Sequence, residues 1–272
     1  MRNPLSALFA GRRPQRTLAE MVWRKPRPLL MPETRVGLIF SPKSACSAAV
    51  IWFWRQSGHY DRARAFSEWP HDYRTRVYYN SDEYKNATKG DLESYRFVRV
   101  IRDPYQRVIS SYRHFLATGY WRDQVSAFLG RDVGESNRLS FREFLDFVDS
   151  ENIVTTEVHH RQQMHPVERF VEPYRVINVS KSDLFDELNR VEEELGLPHT
   201  PFAEFDWFHK VEHFRKAKEG EAPTENVPDL PFDRESARKL PWPERSAFLT
   251  PEMRERIEKI YARDFEQYAD YL

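Results

Sequence analysis

The segment from Val36 to Ser47 constrains the fold more than any other part of this 272-residue chain. Val36-Gly37-Leu38-Ile39-Phe40 is a short apolar run of the length of one buried strand. Ser41-Pro42-Lys43-Ser44-Ala45-Cys46-Ser47 then turns through small residues around a single lysine, and residues 48–54 resume an apolar run that reads as a helix start. A strand, a small-residue loop and a helix N-terminus make an anion site. Backbone N–H groups and the positive helix end face the ligand, and lysine adds a full charge. Ser44, Ala45 and Ser47 are small enough for a phosphate to lie beside the backbone. The nucleotide-hydrolase pattern G-x-x-x-x-G-K-[ST] is excluded, because no glycine occurs from position 38 through 57. An ordinary strand–turn–helix with Lys43 solvated is the competing reading.

A second segment repeats the logic. Phe97-Val98-Arg99-Val100-Ile101 is dense enough in β-branched residues for a central strand, and it runs straight into Arg102-Asp103-Pro104. Val108, Tyr112 and Phe115, with Ile109 and Leu116, follow helical spacing. Pro104 suits a first helical turn, where its missing N–H costs nothing. Arg102 therefore projects from a strand end, and Ser110 lies two turns into the helix, each turn being about 3.6 residues. Both can reach one phosphate, which the planar guanidinium fork matches better than an ammonium would. The simpler alternative is a strand-to-helix turn in which Asp103 caps the helix and pairs with Arg102.

The order Pro42-Lys43-Ser44-Ala45-Cys46-Ser47 resembles the 5′-phosphosulfate loop of sulfotransferases, and above all the P-K-x-A-C-[TS] loop of the carbohydrate (family 2 type) sulfotransferases. The second segment resembles their 3′-phosphate site, R-D-P-x-x-R-x-x-S-x-Y, with Arg102 and Ser110 at the same eight-residue separation. His159-His160-Arg161-Gln162-Gln163 resembles the subgroup's H-W-x-P-Q but departs at the tryptophan and the proline. Tyr261 to Phe265 around Asp264 resembles the terminal Y-x-x-D-[FY] helix. The resemblance spans roughly positions 36 to 272 and is carried by these few windows.

What the resemblance implies is a P-loop-like three-layer α/β fold, a central parallel sheet flanked by helices. It also implies 3′-phosphoadenosine 5′-phosphosulfate as donor, a carbohydrate or glycoconjugate acceptor, and no metal. Pro42, Lys43, Ser44, Ala45, Cys46, Ser47, Arg102 and Ser110 would bind the donor, with Lys43 neutralising the bridging oxygen as it leaves. The family places a His or Glu between the two phosphate motifs as base. His71 is preferred over His59, with Glu68 and Glu83 as fallbacks, because an imidazole accepts a proton near neutral pH. His159, Arg161 and Gln163 would line the acceptor cleft or orient the donor. An ATP-dependent kinase and a non-catalytic anion- or glycan-binding protein of the same fold are the alternatives.

Lys+Arg and Asp+Glu are both 42, so net charge gives no argument for nucleic acid. The seven tryptophans suit a large core or a ring-stacking cleft. The single cysteine, Cys46, excludes an intramolecular disulfide and reads as a small apolar filler. No apolar run of transmembrane length and no secretory core is present, so a cytoplasmic enzyme, free or peripheral at a membrane, is expected.

Residues 1–35 read as an irregular, Arg- and Pro-rich arm, and 36–272 as one domain. Residues 174–179 read as a strand and 181–195 as a helix with a Leu184, Leu188, Val191, Leu195 stripe. Ser180 caps that helix and Gly196 stops it. Residues 209–245, with five prolines after Lys216 and Lys218, read as a long loop over the cleft. Those two lysines either close over the 3′-phosphate or form a plain solvated run. Thr250-Pro251 opens a terminal helix.

Overall fold

The computed structural model describes residues 17–212, 219–220, 226–238 and 242–272. At its centre lies a four-stranded sheet, ordered β1 (Leu29–Met31), β2 (Val36–Phe40), β3 (Arg96–Ile101) and β4 (Arg175–Asn178). β2, β3 and β4 are parallel, with Val36 opposite Arg96 and Val98 opposite Arg175. Every residue of β2 is buried, and so is β3 from Phe97 onward. That is why these strands read as unbroken apolar runs: a parallel sheet covered on its faces leaves no side for polar alternation.

Helices flank the sheet. α1 (Leu18–Val22) precedes β1; α2 (Cys46–Gln56), α3 (Tyr60–Phe66), α4 (Pro70–Arg76) and α5 (Asp82–Ala87) connect β2 to β3. α6 (Pro104–Thr118), α7 (Arg122–Leu129) and α8 (Phe141–Ser150) connect β3 to β4. After β4 come α9 (Leu184–Leu195), α10 (Asp206–Glu212), α11 (Arg234–Arg238), α12 (Pro251–Ile260) and α13 (Ala262–Gln267). One apolar cluster packs α2, α4 and α9 against the sheet; a second joins α6, α8 and α12. Trp52, Trp54 and Trp207 are fully buried, so most of the aromatic content serves the core. Among the described residues no helix is long and apolar enough to cross a membrane.

Three boundaries differ from the sequence reading. Residues 17–35 are not an irregular arm. Thr17 and Glu20 form a reciprocal capping box on α1, and Leu29–Met31 adds an antiparallel edge strand to β2. α9 begins at Leu184, where Asp183 and not Ser180 caps it by accepting from the N–H groups of Phe185 and Asp186. The terminal helix opens at Pro251 as expected, with Thr250 as its cap, and breaks at Tyr261 into α12 and α13. Within 209–245, residues 209–212 belong to α10, and α11 packs on α6. His213, Lys216 and Lys218 lie outside the described residues.

Candidate active site

β2 and β3 are neighbouring parallel strands, so the loops leaving their carboxyl ends lie side by side, which is where open α/β sheets bind ligands. In the first loop Lys43 and Ala45 both adopt left-handed backbone, with φ of 70° and 56°. Without glycine, each such residue costs roughly 1–2 kcal/mol. Strain of this kind is found where a loop is shaped around a ligand. The loop is held in shape from beneath. The buried Ser44 hydroxyl donates to the Ser41 carbonyl at 2.6 Å and to that of Val100 at 3.4 Å. Ser44 is thus a brace within the loop. Ala45 is the N-cap of α2 and supplies no side-chain bond to it, so the first N–H groups of that helix are uncapped by any side chain.

Charge concentrates at the same place. Lys43 is half-buried, and its pKa is drawn down to about 8 by burial; the Cys46 thiol raises it, while Arg102, Arg107 and Arg113 lower it further. Arg102 donates from Nη1 to the Lys43 carbonyl at 3.2 Å. Asp103 caps α6 by accepting from the Gln106 N–H at 3.0 Å, and its own N–H donates to the Ser180 hydroxyl at 3.2 Å. Ser180, expected as a helix cap, instead fixes the turn that carries Arg102. Ser110 stands half-buried on α6, roughly 9 Å of helix beyond Pro104. Pro42 offers its carbonyl to Arg107 Nε at 3.1 Å.

Gln163 is buried, and its side chain grips both polar groups of the Arg102 residue. Oε1 accepts from the Arg102 N–H at 3.0 Å, and Nε2 donates to the Arg102 carbonyl at 2.8 Å. The Gln163 N–H in turn donates to the buried Asp264 carboxylate at 2.7 Å, and that of Met164 does so at 3.3 Å. Gln163 therefore positions Arg102 through its peptide. Arg161 is directed elsewhere, donating to the carbonyls of Thr156 at 2.9 Å and Thr155 at 3.1 Å. His160 is buried among Trp121, Phe144 and Phe147, with Nε2 3.0 Å from the Thr156 hydroxyl.

His71 lies on α4 beside the loop, its Nε2 3.3 Å from the Ser47 hydroxyl and its ring against Phe40 and Trp69. Burial holds its pKa well below the ordinary imidazole value, helped by Arg74 and His159. His59 is a core residue: Nδ1 meets the Tyr73 hydroxyl at 3.1 Å and Nε2 the Glu83 carboxylate at 2.9 Å, which also occupies Glu83. Glu68 pairs with Lys210 at 3.1 Å. His159 is half-buried, with Nδ1 2.9 Å from the Glu157 carboxylate.

Residues 41–271 match the family model described as the sulfotransferase family. The chain belongs to the sulfotransferase family, of the family 2 type that its phosphate loop resembles. Neither a curated protein nor a solved structure matches it.

Within this sulfotransferase three residues carry roles that sequence reasoning did not assign. Arg107, buried on α6, bridges the Pro42 carbonyl and, at 3.3 Å, that of His159, so it ties the 41–47 loop to the 157–164 segment. It sits inside the R-D-P-x-x-R window, and that spacing was the available signal. Asp264, in the terminal motif, anchors Gln163. His114 lies one turn beyond Ser110 on α6, and its ring is 4.4 Å from that of His159. Its pKa is held down to about 3 by burial, then by Lys43 and His159. The i, i+4 relation to Ser110 was its only trace in the sequence. Among the described residues no His, Cys, Asp and Glu cluster is arranged to hold a metal ion.

Proposed function

We propose that the chain moves a sulfuryl group from 3′-phosphoadenosine 5′-phosphosulfate to a hydroxyl of a carbohydrate or glycoconjugate by in-line displacement, in a cytoplasmic setting. The observation that carries the reading is the gathering of Lys43, Arg102, Arg107 and Arg113 around a strained loop at an uncapped helix start. Cations beside a helix start that no side chain caps suit an anion with more than one charged group. A nucleoside phosphorylated at both ends fits two phosphate positions, one at each strand end.

In this account Lys43 and the first amides of α2 hold the 5′-phosphosulfate and neutralise the oxygen from which sulfur departs. Pro42, Ser44, Ala45, Cys46 and Ser47 give the loop its shape. Arg102, set by Gln163, and Ser110 hold the 3′-phosphate. A histidine takes the acceptor's proton. His71 is the residue the sequence favours, and burial keeps its imidazole neutral. Trp69, 52% exposed with its ring 5.0 Å from that of His71, offers a face on which a sugar ring can stack, which supports a carbohydrate acceptor. Incubation with sulfur-labelled donor and a panel of glycans tests the reading. Label on a glycan is the expected result. A protein that binds neither the donor nor its 3′,5′-bisphosphate product contradicts it.

A further inference from the structure

His71 has little freedom to act as a base. Its Nε2 is engaged by the Ser47 hydroxyl at 3.3 Å, and its Nδ1 is sealed in the interior. His159 is built differently. Glu157 Oε1 lies 2.9 Å from its Nδ1, and Glu157 Oε2 accepts from its backbone N–H at 2.7 Å. Burial pushes the Glu157 carboxyl up, but hydrogen bonds and charge from His159, then His160, outweigh this and hold it below the ordinary glutamate range. An ionised carboxylate on Nδ1 selects the tautomer that carries its proton there, which leaves the Nε2 lone pair as acceptor. No described residue hydrogen-bonds that Nε2, and 27% of the side chain is exposed.

His159 is also close to the loop that carries Lys43. The Arg107 guanidinium that donates to the Pro42 carbonyl at 3.1 Å donates to the His159 carbonyl at 3.3 Å, so one side chain spans from loop to histidine. The His159 ring lies 4.4 Å from that of His114, whose proton affinity is lowered by burial and then by Lys43, and 4.9 Å from that of Tyr120.

We infer that His159, oriented by Glu157, is the general base of the proposed transfer, and that His71 is a positioning residue holding Ser47 at the loop. This rests on the sulfuryl-transfer reading. The acceptor oxygen forms a bond to sulfur as the bond from sulfur to the 5′-phosphate oxygen breaks. That oxygen keeps the electron pair, giving adenosine 3′,5′-bisphosphate. The acceptor's proton passes to His159 Nε2, the imidazolium is balanced by the Glu157 carboxylate, and water later removes the proton.

The test uses the full chain with labelled 3′-phosphoadenosine 5′-phosphosulfate and water as the acceptor, so that no particular sugar is assumed. Sulfate release is followed across pH, and adenosine 3′,5′-bisphosphate affinity is measured beside it. Glu157 and His160 on the same segment, His114 on α6, Tyr120 after it, and His71 on α4 all face His159. The expected signature is therefore the loss of one acid limb and not of all pH dependence. His159→Gln is expected to lower release by about 10²–10⁴-fold with product affinity unchanged. His159→Ala is expected to be rescued by added imidazole, and Glu157→Gln to move the acid limb to lower pH. A His159→Gln enzyme that keeps both the wild-type rate and the acid limb overturns the inference alone. A wild-type protein that does not bind the bisphosphate overturns the sulfuryl-transfer reading beneath it.

Discussion

Arg102 makes its contacts from both ends of the residue: its N–H and carbonyl are held by Gln163, and its guanidinium reaches the Lys43 carbonyl. A group fixed so far back has little rotamer freedom left to lose on binding. Arg102→Ala should weaken adenosine 3′,5′-bisphosphate binding by about 2–5 kcal/mol, measured calorimetrically; unchanged affinity would remove Arg102 from the phosphate site. Lys43 adds a pH dependence. Its pKa is drawn from the ordinary 10.5 to about 8, chiefly by burial. Below pH 8 the ammonium is charged in both folded and unfolded chains. Between that pH and the ordinary lysine value the folded chain has released a proton that the unfolded chain still binds, so ligand-free stability rises with pH there. The Lys43 contribution to anion affinity runs the other way, level below about pH 8 and falling above it, because the bound anion demands the charged form. Calorimetry at pH 9 in buffers of different ionisation enthalpy should therefore show proton uptake. Affinity that stays level from pH 7 to 9 would contradict this. The adjacency of Lys43 and Arg102 was legible because each stands in a contiguous window at a strand end. His114 and Asp264 were not, because nothing local states which helix face meets the cleft or what a terminal helix touches.

At the scale of elements, the terminal α13 reaches the site without contributing a ligand. Asp264 accepts the Gln163 and Met164 N–H groups, and Gln163 then clamps Arg102. Asp264→Asn replaces one acceptor oxygen by a donor amide against those N–H groups. It should lower bisphosphate affinity as well as melting temperature. A variant that loses melting temperature but keeps affinity would show that the link to Arg102 is only structural. Helix stops such as Gly196 were readable because left-handed backbone favours glycine. The edge strand β1 was not, since three apolar residues between prolines and arginines carry no periodicity, and only pairing with β2 makes them a strand. Ser180 misled for a related reason: a serine before a helix looks the same whether its hydroxyl caps that helix or accepts from Asp103 across a turn.

At the scale of the molecule, the parallel sheet places two cationic strand ends side by side while the net charge stays zero. Sheet spacing is itself set by close packing. A Cβ on Gly37 would lie 2.4 Å from the ring of Phe97 on the adjacent strand. Gly37→Ala should therefore destabilise the fold by about 1–3 kcal/mol in reversible denaturation; a neutral result would mean that β2 and β3 can part without cost. The parallel α/β architecture was readable from the two strand–turn–helix windows in order.

We propose that these two strand ends form one site for a nucleotide phosphorylated at both the 3′ and 5′ positions. Calorimetric titration of the wild-type chain with adenosine 3′,5′-bisphosphate, beside ADP and with no metal added, tests it most directly. Metal-independent binding that favours the 3′-phosphorylated ligand by about 10-fold or more is expected. Equal affinity for the two nucleotides, or binding of neither, would contradict it.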